Sequence, residues 1–179
     1  MLTKNMYIKI LKSSDLEVMV GLQTRVLAAL ENDYFLKCRS VADWRMMLGS
    51  EDYVVYGIYD KDRLIASATI HFPNGVDYRD IPEFSPVPDE ELAIFQAVMV
   101  DKDYRRMGLM RVLQDLRKGA AIRRKRGKII CKISADNLIS CKNAINYGFH
   151  AVKVAPDDSG HNKMYFIKKL NLAQGFLTK

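Results

Sequence analysis

The sequence predicts a mixed α+β/α/β fold: a central mixed sheet of about seven strands flanked by helices, in the order β-α-α-β-β-β-α-β-α-β-β. Three observations carry that expectation. Short β-rich runs crowd the first half of the chain. Strand–helix–strand units fill the second half, where helical periodicity alternates with buried-looking strands. The chain has 179 residues, 49% apolar and 27% charged, which suits one domain able to bury its own core. Residues 1–179 therefore read as a single domain, with 170–179 as a C-terminal tail.

In chain order, Tyr7 to Leu11 alternates weakly and reads as a strand. Ser14-Asp15-Leu16-Glu17 has the form of a capping box, with Ser14 as N-cap. Leu16, Met19, Leu22, Val26 and Leu30 follow at helical spacing. Ser40 to Leu48 reads as a short second helix with Trp44, Met47 and Leu48 inward. Tyr53–Tyr59 and Leu64–Phe72, joined by the Asp60–Arg63 turn, read as a hairpin. Pro73 to Glu91, with four prolines, reads as a long loop of the kind that often carries function. Phe95–Val100 is a buried strand. From Gly108 onward, Leu109, Leu113, Leu116 and Ala120 form one helical face, with Arg111, Gln114, Arg117 and Lys118 on other faces. Ile129–Ile133 is a strand, and Asn137–Tyr147 is a helix closed by Gly148, a residue free to adopt the left-handed cap. His150–Val154 and Met164–Lys168 close the sheet.

Several classes are excluded or disfavoured. No apolar run approaches the roughly 20 residues of a membrane span. The N-terminus lacks a continuous hydrophobic region, so no secretory leader is expected and the protein reads as cytoplasmic. Cys38, Cys131 and Cys141 fit no zinc spacing, and an odd count suits a reducing compartment. His71, His150 and His161 form no ligand pattern, so no metal is expected. The net charge of +7 points to anionic partners or serves solubility.

The chemistry concentrates in Val98-Met99-Val100-Asp101-Lys102-Asp103-Tyr104-Arg105-Arg106-Met107-Gly108-Leu109-Met110. A strand ends, a basic segment turns, and a helix opens at a glycine. The first N–H groups of a helix lack internal partners and, with the helix dipole, attract anions. Gly108 lets backbone approach a phosphate, and Arg105, Arg106 and Arg111 add positive charge. A dinucleotide fingerprint is absent, and Gly127-Lys128 is followed by Ile129, which excludes a P-loop there.

These residues resemble the GNAT superfamily of N-acetyltransferases. Its acetyl-CoA loop has Gln or Arg, two residues, Gly, one residue, then Gly or Ala, after a Val-rich strand. Arg105 and Gly108 match, and Met110 stands at the last position. A second family feature, an Asn followed by a short helix and Gly-Phe, is matched by Asn137 and Gly148-Phe149, with Ser140 at the small position. The predicted strand order is also that of the family.

The resemblance implies an acetyl-CoA-dependent N-acetyltransferase in which an amine attacks the thioester directly. It implies that the backbone of Val98, Met99 and Val100 bonds the pantetheine arm where two parallel strands splay. The N–H groups of Arg106, Met107, Gly108, Leu109, Met110 and Arg111 would hold the pyrophosphate, while Asn137 and Ser140 touch the lower arm. A backbone N–H near Val98 would stabilise the oxyanion. The usual general-acid tyrosine, seven residues after the Asn, is here Ala144. Tyr147 lies three residues on, about 300° around a helix, and is read as core. Gln96 stands where some relatives carry a glutamate base. The catalytic acid and base are thus unassigned.

Other features have two readings each. Arg123–Lys128 binds nucleic acid or the 3′-phosphate of CoA, or is a solvated helix end, the preferred reading. His161 is a proton relay or a surface histidine, the latter preferred. Cys141 and Trp44 read as core. The 73–91 loop carries Asp77, Asp80, Glu83, Asp89, Glu90 and Glu91 against Arg79 alone, and is either solvated or a collar for a cationic amine. A non-catalytic acyl-CoA-binding module and a basic nucleic-acid-binding protein are the rival functions. A monomer or homodimer is expected.

Overall fold

A computed structural model describes residues 2–73 and 91–172. In chain order the elements are β1 (Met6–Ile10), α1 (Leu16–Leu27), α2 (Val41–Gly49), β2 (Tyr53–Asp60), β3 (Arg63–His71), β4 (Leu92–Val100), α3 (Leu109–Arg123), β5 (Lys128–Ser134), α4 (Leu138–Asn146), β6 (His150–Pro156) and β7 (Asn162–Lys169). The seven strands form a mixed sheet in the order β1-β2-β3-β4-β5-β7-β6. Both the class and the element order are those the sequence predicts. The chain divides into two compact units: Met1–Ile70 with Gln96–Arg117, and His71–Phe95 with Lys118–Lys179.

In the first unit, β1 runs antiparallel to β2 from Met6–Asp60 to Ile10–Tyr56. Leu11, Met19, Leu22, Trp44, Met47, Val55, Leu64 and Met99 belong to its core, so the apolar positions of α1 and α2 meet the strands. Gly57 is needed where β2 comes close to two leucines: a Cβ there would meet Leu11 at 2.7 Å and Leu64 at 2.8 Å. The second helix starts as a true capping box. Ser40 Oγ accepts from Asp43 N–H at 3.0 Å, and Asp43 Oδ2 accepts from Ser40 N–H at 3.0 Å. Trp44, Met47 and Leu48 are buried, as read.

The first helix departs from expectation. A 3₁₀ turn, Ser13–Asp15, takes the place of the Ser14 cap. Asp15 reaches back instead: its carboxylate accepts from Lys12 N–H at 2.9 Å and pairs with Lys9 Nζ at 2.6 Å. An ionised acceptor held by a cation outcompetes a neutral serine hydroxyl. The helix ends at Leu27, and Ala29 and Leu30 continue in tighter turns onto Val26 and Leu27 carbonyls, so Leu30 lies beyond it.

In the second unit, β4 pairs in parallel with β5 from Leu92–Lys128 to Ile94–Ile130. β4 thus begins at Leu92 rather than Phe95. β5 and β6 each run antiparallel to β7. α4 is capped by Asn137, whose Oδ1 accepts from Ser140 N–H at 3.1 Å. Its other end closes through Gly148 at φ 85°, with Phe149 N–H returning to Ala144 O at 3.1 Å. A Cβ at Gly148 would lie 2.7 Å from Lys168 Nζ.

The basic run 123–128 is not merely solvated. The Arg124 guanidinium lies 4.2 Å from the Phe72 ring centroid and that of Arg126 lies 5.8 Å away. Lys128 Nζ pairs with Glu91 Oε2 at 3.4 Å. The guanidinium groups are attracted to the negative face of the ring, while Arg123, Arg124 and Lys125 stay exposed. The acidic-collar reading otherwise falls on residues 74–90, outside the described residues, as does the tail from residue 173.

Candidate functional site

β4 changes character at its midpoint. Ala97 has φ 42°, a left-handed conformation that interrupts the strand's alternation. Leu92–Phe95 are buried, Gln96, Ala97 and Val98 are half-exposed, and Met99 is buried again. The strand is therefore open where its regular geometry breaks. A non-glycine residue at positive φ costs about 1 kcal/mol or more, and such strain collects at functional positions.

The segment after β4 is held at its root. Asp101 is 2% exposed and its Oδ2 accepts from Arg25 Nε at 2.8 Å and Arg63 Nη2 at 2.8 Å. Its N–H donates to Ile65 O at 2.8 Å. Burial pushes the carboxyl up, but hydrogen bonds from the two guanidinium groups outweigh it and hold Asp101 below the usual aspartate range. Tyr104 adds a second tie, donating to Asp60 Oδ2 at 3.0 Å.

Beyond that root, Arg105, Arg106 and Gly108 are exposed. Arg106 (φ 65°) and Gly108 (φ 77°) are both left-handed and bracket Met107. Such turns gather backbone N–H groups into anion-binding concavities. The Gly108 carbonyl then accepts from Arg111 at 3.0 Å and Val112 at 3.3 Å, which starts α3. Leu109 is buried, Met110 half-buried, and Arg111 exposed beside Asp115 at 3.3 Å. The half-buried Met110 is accommodated without loss of the helix start.

A second cluster, in the first unit, holds the α1–α2 connection. Gln23 Oε1 accepts from Trp44 Nε1 at 3.0 Å and from Arg39 N–H at 3.0 Å, while its Nε2 donates to Arg39 O at 2.9 Å. Arg39 Nη2 in turn donates to Gln96 Oε1 at 2.9 Å. Gln96 is thus a neutral acceptor tied to an arginine.

In the second unit, Asn137 and Ser140 sit at the start of α4, where Asn137 serves as the cap. Ala144 is buried. Tyr147 is 6% exposed and stacks on Phe149 with centroids 6.2 Å apart, packed as the helical phase predicts. Cys141 is buried and donates to Ser134 O at 3.6 Å, and burial pushes its thiol up. His161 N–H donates to Asp157 Oδ1 at 3.0 Å within an exposed turn. Among the described residues, no group of His, Cys, Asp or Glu could hold a metal ion, and no helix is long and apolar enough to cross a membrane.

The structure brings Val98–Arg111 together as one strand–turn–helix unit and puts Asn137 and Ser140 in the other unit. Sequence reasoning missed Asp101, Arg25, Arg63, Gln23 and Arg39. It also set Gln114 and Arg117 apart from the apolar face, whereas they are buried, at 7% and 2% exposed. The signal was available: Arg117 is four residues after Leu113 and three before Ala120, both on the buried face.

A family model described as "Acetyltransferase (GNAT) family" matches residues 24–149. The fold is similar to that of a probable acetyltransferase from Staphylococcus epidermidis, at 17% identity and TM-score 0.75, covering 93% of this chain and 99% of that one. It is also similar to Arabidopsis thaliana NAA60 in complex with a bisubstrate analogue, at 16% identity and TM-score 0.74, covering 93% and 98%. A third similar structure is yncA, a putative acetyltransferase from Salmonella typhimurium with its cofactor acetyl-CoA, at 17% identity and TM-score 0.67, covering 94% and 95%. No curated protein sequence matches the chain. The family model covers well over half of the chain, and the strand–turn–helix unit lies inside the matched region. The chain belongs to the GNAT acetyltransferase family.

Proposed function

We propose that the protein transfers an acetyl group from acetyl-CoA to a primary amine of a small molecule or peptide. The observation that carries this is the single run from the left-handed Ala97 in β4 to the left-handed Arg106 and Gly108 before α3. The run offers opened strand backbone for a pantetheine arm and clustered N–H groups for a pyrophosphate. That the similar Salmonella protein was crystallised with acetyl-CoA supports the cofactor. In this reading Val98, Met99 and Val100 bond the arm, residues 106–111 hold the pyrophosphate, and Asn137 and Ser140 contribute to the arm.

The chemistry asks little of side chains. The amine, once neutral, attacks the thioester carbonyl. A backbone N–H near Val98 holds the oxyanion, which then collapses with loss of the thiolate. A free thiol has a pKa of about 8.5, so the thiolate is a competent leaving group without a dedicated acid. The proton leaves the amine through water. Alignment of the two reactants supplies much of the rate.

A second reading, a non-catalytic acyl-CoA-binding module, is favoured by one observation. Ala144 cannot donate a proton, and the Gln96 amide is neutral and already accepts from Arg39. One experiment separates them: thiol release on mixing protein, acetyl-CoA and a panel of amines, with thermal melting in parallel. The enzyme reading expects amine-dependent thiol release. Both readings expect acetyl-CoA at a hundredfold excess over its Kd to stabilise the fold by about 2.7 kcal/mol. Binding without release leaves the module, and no melting shift at millimolar acetyl-CoA overturns both.

A further inference from the structure

Arg117 is the largest charged side chain in the interior of the first unit, 2% exposed. A buried guanidinium carries a heavy desolvation cost, and a leucine at this helical phase would pack without it. Two of its nitrogens face main-chain carbonyls. Nε faces Leu113 O at 3.4 Å, one turn back on α3. Nη1 faces both Thr69 O on β3 and Gln96 O on β4, each at 3.4 Å. β3 and β4 are neighbours in the sheet. Where a strand departs from regular geometry, ladder bonds fail and buried carbonyls need another donor. A planar fork of five N–H groups is suited to serve two strands at once.

The carbonyl it holds has a particular place. Gln96 C=O and Ala97 N–H share one planar peptide, so fixing the oxygen fixes the axis about which Ala97 turns. At φ 42° that turn orients the next peptide, whose N–H belongs to Val98. The same residue is tied at its other end, since Gln96 Oε1 accepts from Arg39.

We propose that Arg117 is a positioning residue for acetyl transfer: by holding the Gln96 carbonyl it fixes the Ala97 turn and aims the Val98 N–H at the thioester oxygen. The proposal rests on the acetyl-CoA reading above. Arg117 itself does not touch the substrate.

The test uses acetyl-CoA labelled with ¹³C at the thioester carbonyl, bound to the full chain, and reads its carbonyl stretch by isotope-edited infrared spectroscopy. Wild type is expected to lower the frequency relative to the free thioester. Arg117→Met should return the band toward the free value while acetyl-CoA affinity stays within about threefold, because residues 98–111 keep their own anchors. With an amine from the panel, kcat should fall on the order of 10–100-fold, below the 10²–10³ seen when an oxyanion donor is removed outright. Arg117→Lys, which keeps the charge but not the fork, stands in if the methionine variant does not fold and should show the same direction of band shift. A variant that merely lost stability would keep the wild-type band below its melting temperature, and that result overturns the positioning role alone. Failure of wild type to bind acetyl-CoA overturns the acetyl-CoA reading itself.

Discussion

Replacing Gln23 with Leu removes the clip between α1 and the segment leading to α2. The side chain is 5% exposed and makes four bonds: two with the Arg39 backbone, one from the Trp44 indole and a weak one to Cys38 Sγ at 3.7 Å. Trp44 is fully buried, so its N–H loses its partner where water does not reach. An orphaned buried donor costs about 1–3 kcal/mol, and each remaining bond contributes roughly 1 kcal/mol. The Arg39 backbone is half-buried and regains water in part, and the leucine methyls recover some apolar burial. The net loss is about 3 kcal/mol, or roughly 6–12 °C in Tm for a chain of this size. Calorimetric melting measures it. A Tm within about 2 °C of wild type would refute the reasoning and leave the glutamine a passive filler.

Other expectations follow from the same contacts. Gly108→Glu puts a charged side chain on an exposed residue at φ 77°, so CoA binding should vanish while the far-UV spectrum stays near wild type and Tm falls by only a few degrees, the cost of a side chain at positive φ; retained affinity by calorimetric titration counts against the cradle. Tyr147→Phe should keep kcat within about threefold, since the ring is stacked in the core; a loss of 10²–10⁴-fold with an intact fold would mark the hydroxyl as the general acid. Asp101 titrates below its unfolded value, so its contribution is complete above the ordinary aspartate pKa of about 3.9 and is lost as pH falls through the lower folded value. Urea midpoints measured from pH 6 down to pH 3 should therefore drop more steeply for wild type than for Asp101→Asn, and parallel curves would dismiss the clamp.

Local signals were legible in the sequence. The spacing of Trp44, Met47 and Leu48 gives the buried face of α2, and Gly148 marks the end of α4, because helix phase and left-handed caps depend on neighbours a few residues away. The loop motif likewise depends on local backbone freedom at Gly108. What escaped depends on partners distant in sequence. Asp101 meets Arg25 and Arg63, and Gln23 meets Arg39 and Trp44; no local pattern encodes such pairs. The Ala97 turn is hidden because alanine carries no preference for positive φ. The Ser14 box failed for the same reason in miniature, since Lys9 stabilises the competing Asp15 carboxylate from six residues away.

The contacts of the basic run bear on how this chain could diversify. Phe72 lies against Arg124 and Arg126, and Glu91 meets Lys128, so one five-residue stretch buckles the two roots of the 74–90 segment. With its ends fastened in the same place, a connecting segment can be lengthened at an entropic cost of only about 0.6 kcal/mol per doubling. Changing the length or charge of the chain between Pro73 and Glu91 is therefore expected to cost little stability as long as Phe72 and Glu91 keep their partners in the 124–128 stretch.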